Sequence, residues 1–267
     1  MENSKFGFIG CGNMGGSLAR AVVKAVGDDN VTLADKDAVK AQCLAKELKC
    51  EATDSKNIAK DCKFIFLGIK PQVMKAALSE ISDVLNARTD RFVIISMAAG
   101  VKMAEIAEML GKDYPIIRIM PNTPVSAGKG MILYTSNKSV NMDELESFCD
   151  SLQFAGRLDK IQENSINAAT AVSGCGPAFV YLFAEAMADA GVECGLPREK
   201  ALEYATQTLL GSAELIFKTG KHPAVLKDEV CSPGGSTIEG VHSLEENGFR
   251  GTVMSAVKAS FDKTNLL

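Results

Sequence analysis

Ser232-Pro233-Gly234-Gly235-Ser236-Thr237-Ile238-Glu239-Gly240 sets a proline, glycines and two hydroxyls directly before a segment, Ile238 to Leu244, that reads as a helix. Glycine lets a backbone approach a ligand closely. The N–H groups at a helix start lack partners inside the helix, and with the helix dipole they favour a small anion. Gly234, Gly235, Ser236 and Thr237 are therefore a candidate anion cradle with hydroxyls at hand. A tight turn followed by an ordinary helix cap fits the same residues equally well. Near the other end of the chain stands a second Gly-rich turn, Gly10-Cys11-Gly12-Asn13-Met14-Gly15. An apolar run, Phe6 to Ile9, precedes it and an amphipathic stretch, Leu18 to Val26, follows. Strand, GxGxxG and helix is the setting that a dinucleotide turn requires. The first Gly makes the turn, the second admits a pyrophosphate and the third lets helix pack on strand. A second strand, Val31 to Ala34, ends at Asp35, an acid placed to accept hydrogen bonds from a ribose. A bare turn without a ligand is the competing reading.

Three further strand ends carry distinctive chemistry. Gly68-Ile69-Lys70-Pro71-Gln72 sets a lysine beside a φ-fixing proline; Lys70 either lies over the cofactor crevice or is an ordinary solvated lysine. Ser96-Met97-Ala98-Ala99-Gly100 supplies small residues that admit a flat ring. Met120-Pro121-Asn122-Thr123-Pro124 brackets an amide between prolines, a stiff turn with hydrogen-bonding capacity.

The elements that must position these residues follow from periodicity. Strands are expected at Phe6–Ile9, Val31–Ala34, Phe64–Gly68, Phe92–Ser96, Ile116–Ile119 and Gly130–Thr135. Helices are expected between them at Gly16–Val26, Ala38–Leu48, Val73–Leu85 and Met103–Leu110. This alternation predicts an α/β domain with a mostly parallel, doubly wound, Rossmann-type sheet, whose ligands bind at the carboxyl ends of the strands. Strand signals vanish after about residue 160. Helices are expected at Asn164–Val172, Pro177–Cys194, Arg198–Thr219, Ala224–Val230, Ser236–Asn247 and Arg250–Leu267. The boundary falls between Gln153 and Asn164, giving residues 1–160 as the dinucleotide-binding domain and 161–267 as an all-α domain. The helix from Pro177 is apolar around most of its circumference and must be buried on several sides. A helical domain of this size builds little core alone, so packing on a second copy is expected.

The chain has 267 residues and a net charge of −4, which gives no electrostatic footprint for nucleic acid or an anionic membrane. The eight cysteines form no CxxC pair, and with two histidines available no metal site is expected. Scattered free thiols imply a reducing compartment, the cytoplasm. The first strand begins almost at once, leaving no room for a signal peptide. Ser165 to Ala184 holds no charge, yet Ser173-Gly174-Cys175-Gly176-Pro177 interrupts it. Two helices meeting at a buried turn are expected there, not a membrane span.

The ordered segments FIGCGNMG, GIKPQV, SMAAGV, RIMPNTPVSAGKGM, AVSGCGPAFVYLFAEAMADAGVECGLPREKA and HPAVLKDEVCSPGGSTIEGVHSLEENGFRGTVMSAV together resemble Δ1-pyrroline-5-carboxylate reductase along essentially the whole chain. The resemblance implies reduction of a cyclic imine to L-proline by NADPH or NADH. It also implies a helical dimerisation domain, and intertwined dimers that often assemble further, commonly into decamers. Carried over, the cofactor site falls on Gly10, Cys11, Gly12, Asn13, Met14 and Gly15, on Asp35 and Lys36 at the adenosine ribose, and on Asn57. The nicotinamide half falls on Ile69, Lys70 and Pro71 and on Met97, Ala98 and Ala99. The substrate pocket resembles Glu163 with Gly234, Gly235, Ser236 and Thr237, where Thr237 matches the hydroxyl beside the imine. Relatives that prefer NADPH often carry a small polar residue followed by Arg or Ser where this chain has Asp35-Lys36. Asp35 opposes a 2′-phosphate and Lys36 attracts one, with a lean toward NADH. No general acid stands out: His222 and His242 flank or lie in helices, where a surface or capping role is commoner. The rival enzyme reading, a 3-hydroxyacid dehydrogenase, needs a lysine or histidine on the helical domain, and neither SGCGPAF nor SPGGST supplies the lysine. A non-catalytic nucleotide-binding or redox-sensing module is the rival from another class.

Overall fold

Strand β1 (Phe6–Ile9) is buried along its whole length, as a central parallel strand should be. Its alternate side chains serve two layers. Phe6 and Phe8 lie in register with Phe64 and Phe66 of the neighbouring strand, and the rings stack at 4.9 and 4.4 Å between centroids. On the other face Gly7 leaves room for a helix: a Cβ there would strike Ile58 and the Cys62 thiol. The computed structural model describes residues 4–266. They divide into two compact units, one of residues 4–174 with 261–266 and the other Cys175–Ser260.

In the first unit β1 leads to α1 (Asn13–Val26), β2 (Val31–Ala34), α2 (Ala38–Leu48), β3 (Glu51–Ala52), α3 (Ser55–Asp61) and β4 (Phe64–Leu67). Then come α4 (Pro71–Ala87), β5 (Val93–Ser96), α5 (Met103–Leu110), β6 (Ile116–Pro121), β7 (Gly130–Ser136), α6 (Met142–Ser151), β8 (Gly156–Lys160) and α7 (Ile166–Ser173). The strands form one sheet in the order β3-β2-β1-β4-β5-β6-β7-β8, parallel throughout except for the β6–β7 pair. This is the expected doubly wound sheet, and its order reverses between β1 and β4, where such sheets open a ligand crevice. One face is covered by Leu18 and Val22 of α1, Leu44 of α2 and Phe148 of α6. The other is covered by Ile58, Met74, Leu78, Ile81 and Ile106 from α3, α4 and α5. A smaller group, Met120, Leu133 and Ile166, seats α7 on the sheet. The unit contains four elements that periodicity does not reveal: β3, α3, α6 and β8.

The second unit is helical, as expected: α8 (Gly176–Glu193), α9 (Arg198–Thr219), α10 (Pro223–Val230), α11 (Ser236–Glu246) and α12 (Phe249–Thr264), the last running on into the first unit. Its buried centre is small, formed by Ala188, Ala201 and Ala205 where α8 crosses α9. Gly191 belongs to the same crossing, since a Cβ there would stand 3.0 Å from that of Ala201. Within the chain α8 is not buried on several sides: Val180, Tyr181 and Leu182 are 50, 61 and 66 % exposed. The run Glu163–Glu193 is long and apolar enough to cross a membrane by length and composition. Its helical bonding stops at Ser173 and resumes at Gly176, at the expected break. The intervening residues are half-buried rather than buried.

Candidate active site

The Gly-rich turn is built from contacts that tolerate no side chain. Gly10 has φ +102°, which L side chains rarely adopt, and a Cβ there would strike the Gly68 carbonyl. A Cβ on Gly15 would strike the Gly10 carbonyl. The turn, the start of α1 and the end of β4 are thus in backbone contact. Gly12 differs: beyond its own neighbours along the chain, no atom lies within 4 Å of where its Cβ would be. The open space lies at the start of α1, for which Gly12 is the N-cap, with no side chain capping the helix and no acid in its first turn. Free N–H groups, the positive end of a helix and an unfilled cradle fit the pyrophosphate of NAD or NADP. A cleft of about 270 Å³ opens beside the turn, lined by Cys11, Gly12, Asn13, Arg20, Lys40 and Glu47 among others. A larger cleft of about 480 Å³ lies at the opposite, amino ends of the strands, among Lys5, Lys63, Arg88 and Arg91. Its arginines are already engaged, Arg88 with Asp90 and Arg91 with Glu144, so it is the less suited to an anion.

Asp35 follows β2 and is half-buried against the turn. Its Oδ2 accepts from the Cys11 N–H at 2.6 Å and its Oδ1 from the Asp37 N–H at 3.0 Å. Lys36 beside it is exposed. The Cys11 thiol donates to the Ala34 carbonyl, and burial, with the Asp35 charge second, pushes its pKa up to about 12. Cys11 is therefore a neutral packing residue at neutral pH, not a nucleophile. Asn57 lies in the first turn of α3, its side-chain amide donating to Thr53 Oγ1 and Asp54 Oδ2 at 3.0 and 3.1 Å. Ile69, Lys70 and Pro71 lead from β4 into α4, with Pro71 as its first residue and Lys70 exposed. Met97, Ala98 and Ala99 follow β5, where Ala98 is buried and its N–H reaches Ser96 Oγ at 3.4 Å. The carboxyl ends of β1, β2, β4 and β5 thus bring together the turn, Asp35, Lys70 and the small loop, on the side of the sheet that binds ligands in such folds.

Asn122 acts as a fastener. Its Oδ1 accepts from Met131 N at 2.8 Å and its Nδ2 donates to the Ser173 carbonyl at 2.9 Å, joining β6 to β7 and to the end of α7. Glu163, just before α7, directs Oε1 at Met103 N (2.8 Å) and at Arg118 Nη1 (3.3 Å). Arg118 escapes periodicity because it lies inside the otherwise apolar run Ile116–Met120; a lone cation within a buried strand was the available signal.

In the second unit Gly234 has φ +68° and Gly235 precedes α11 as its N-cap. A Cβ on Gly235 would meet Ser232 Oγ, so the turn is closed by contact with that serine. Ser236 and Thr237 are the first two residues of the helix, both exposed, and no side chain caps it. The tight turn and the helix cap are both present, with Gly235 rather than Thr237 at the cap position. His222 caps α10 by accepting from Ala224 N at 3.2 Å, and His242 is exposed on α11. Among the described residues, no group of three metal-binding side chains occurs.

Residues 163–267 match a family model described as pyrroline-5-carboxylate reductase dimerisation, and residues 5–100 one described as NADP oxidoreductase, coenzyme F420-dependent. The pyrroline-5-carboxylate reductase of Escherichia coli is 39 % identical over 266 residues, covering 98 % of each chain. That of Arabidopsis thaliana is 37 % identical over 269 residues, 100 % of this chain and 96 % of its own. The crystal structure of the Plasmodium falciparum pyrroline carboxylate reductase, with NADP bound, superposes with a TM-score of 0.88 at 36 % identity, over 100 % of this chain and 98 % of that one. With the Gly-rich turn, the doubly wound sheet and the SPGGST helix start all in place, the chain belongs to the pyrroline-5-carboxylate reductase family.

Proposed function

We propose that the protein reduces 1-pyrroline-5-carboxylate to L-proline with NADH or NADPH, the last step of proline biosynthesis. The carrying observation is end-to-end identity with reductases of that name, 39 % over 98 % of both chains for the E. coli enzyme. The open cradle at Gly12 supports a pyrophosphate at the start of α1. Asn13, Met14 and Asn57 complete the adenosine half, and Asp35 binds the ribose. Ile69-Lys70-Pro71 and Met97-Ala98-Ala99 flank the nicotinamide half, and when bound that ring supplies the hydride. The N–H groups of Gly234 to Thr237 hold the substrate carboxylate. The Thr237 hydroxyl bonds the ring nitrogen and turns the C=N carbon toward the donor, with Glu163 also in contact with substrate. The chain's main contribution is to hold reacting carbons about 3–3.5 Å apart. The iminium proton enters with the substrate or from water, as His222 is engaged as a cap. Asp35 sets the lean toward NADH, because an ionised carboxylate held against the turn repels a 2′-phosphate.

The matched dimerisation segment supports a division of roles at 160/161 and a homodimer. We infer that the exposed apolar residues of α8 and α9 pack on a second copy rather than on lipid, with further assembly, to a decamer, built from that dimer. Nothing in the charge balance favours nucleic acid. Eight free cysteines support a cytoplasmic location.

Purified protein mixed with NADH or NADPH should oxidise it only when pyrroline-5-carboxylate is added, and not with 3-hydroxyacids. Absence of turnover with both cofactors would reject the reading.

A further inference from the structure

Among the described residues, two charged residues of the first unit are buried, Glu144 and Arg118, and Glu144 is held by Arg91 through both carboxylate oxygens. Arg118 has 2 % of its side chain exposed, and among the described residues its Nε and Nη2 are the buried side-chain atoms with no hydrogen-bond partner. Its one bond runs from Nη1 to Glu163 Oε1. Along the sheet Arg118 lies in register with Ser96 of β5 and Thr135 of β7, both buried, so the three form a polar row across three strands. The loop 97–102 leaves from this row and returns to it. At its beginning the Ala98 N–H reaches Ser96 Oγ. At its end the N–H of Met103, the first residue of α5, donates to Glu163 Oε1. That N–H is an orphan donor of a helix start, and a carboxylate at the positive end of the helix is its natural partner.

A buried guanidinium with unmet donors is a poor source of stability, since an apolar side chain of similar volume would do as well or better. What Arg118 supplies is direction: its charge draws the Glu163 carboxylate inward, so that Oε1 meets the Met103 N–H. We propose that Arg118 is a positioning residue for the reduction, acting through Glu163 to hold the loop 97–102. This proposal rests on the reductase reading, in which Met97, Ala98 and Ala99 flank the nicotinamide. Arg118 touches neither substrate nor cofactor in this role. It also gives Glu163 a second duty, as the link between the sheet and the start of α5.

The test measures hydrogen exchange at the Met103 amide together with steady-state kinetics, in the full-length protein. Arg118→Met should speed exchange at Met103 by roughly tenfold or more, while amides of α9 keep their wild-type rates. Its kcat should fall by about tenfold or more, with KM for NADH held within about threefold, because the Gly-rich turn is untouched. Arg118→Lys, which keeps the charge, should lie between wild type and Arg118→Met in both measurements. If Arg118→Met does not fold, Arg118→Gln, which removes the charge but keeps a polar side chain in the row, should show the same fast exchange and low kcat. Wild-type exchange at Met103, or wild-type kcat, in a folded Arg118→Met protein overturns the proposal. A wild-type protein that leaves pyrroline-5-carboxylate unreduced rejects the reductase reading instead, and the exchange measurement still decides whether Arg118 holds the loop.

Discussion

Asp35 accepts one backbone hydrogen bond on each carboxylate oxygen, from the turn at Cys11 and from Asp37, so its charge is held in place against the turn. In the proposed site a 2′-phosphate would meet that charge at close range, with the exposed Lys36 next to it in sequence. Asp35→Ser is therefore expected to shift the ratio of kcat/KM values toward NADPH; an unchanged ratio would place Asp35 away from the ribose. Thr237 gives an independent check. Because Gly235 holds the cap position, Thr237→Ala should leave the melting temperature close to wild type, where loss of a true cap would cost about 0.5–2 kcal/mol. Its kcat/KM for the imine should fall about tenfold or more, about 1.4 kcal/mol of transition-state stabilisation, with NADH binding unchanged. A destabilised protein with wild-type kcat/KM would return Thr237 to a structural role. The glycines of both turns were legible from spacing alone, since steric demand writes itself into residue type. The arrangement of Arg118 and Glu163 was not, because it joins residues 45 positions apart on elements that only the fold brings together.

Among the elements, α2, α5 and α9 occupy the spans that periodicity predicts, Ala38–Leu48, Met103–Leu110 and Arg198–Thr219. Each has a clear apolar stripe or clear stop signals, such as Gly111 and Gly220 at the ends of α5 and α9. The strands β1 and β2 match as well, because short apolar runs between turns are what a buried parallel strand looks like. The missed elements lie at the sheet margins or are short. Strand β8 reads GRLDK, an edge strand half in water with no apolar alternation to betray it. Helix α6 begins MDELE, and its signal is the Asn141–Glu144 capping box rather than its polar face. Asn122 shows how a rigid turn gains a duty from its surroundings: it ties β6, β7 and α7 with two hydrogen bonds. Asn122→Ala should lower stability by about 2 kcal/mol, about 1 for each bond lost, read by denaturant unfolding. Wild-type stability would show that water replaces both bonds.

At the scale of the whole molecule, the helical unit exposes more apolar surface than a lone soluble unit should. Leu182, Phe217, Val230 and Met254 are 66, 69, 65 and 72 % exposed, against a buried centre of three alanines. Sedimentation should accordingly find a dimer or a multiple of it at micromolar concentration, and a monodisperse, active monomer would contradict the assignment. The course of the chain adds a different consequence. It leaves the first unit at Gly174 and re-enters it at Phe261, where Thr264 is buried and Asn265 accepts from Asn167 at 3.0 Å. The first unit is therefore discontinuous in sequence, with the second inserted into it. During synthesis the Rossmann-type sheet can form early, since all of its strands precede residue 161. The face of α7 at Asn167, however, waits for some ninety further residues before its last neighbour leaves the ribosome. For that interval every strand of the sheet and the whole Gly-rich turn are already made while Asn167 still lacks its partner, so a chain cut short within α12 keeps the sheet and the turn and loses only the contacts of its returning segment.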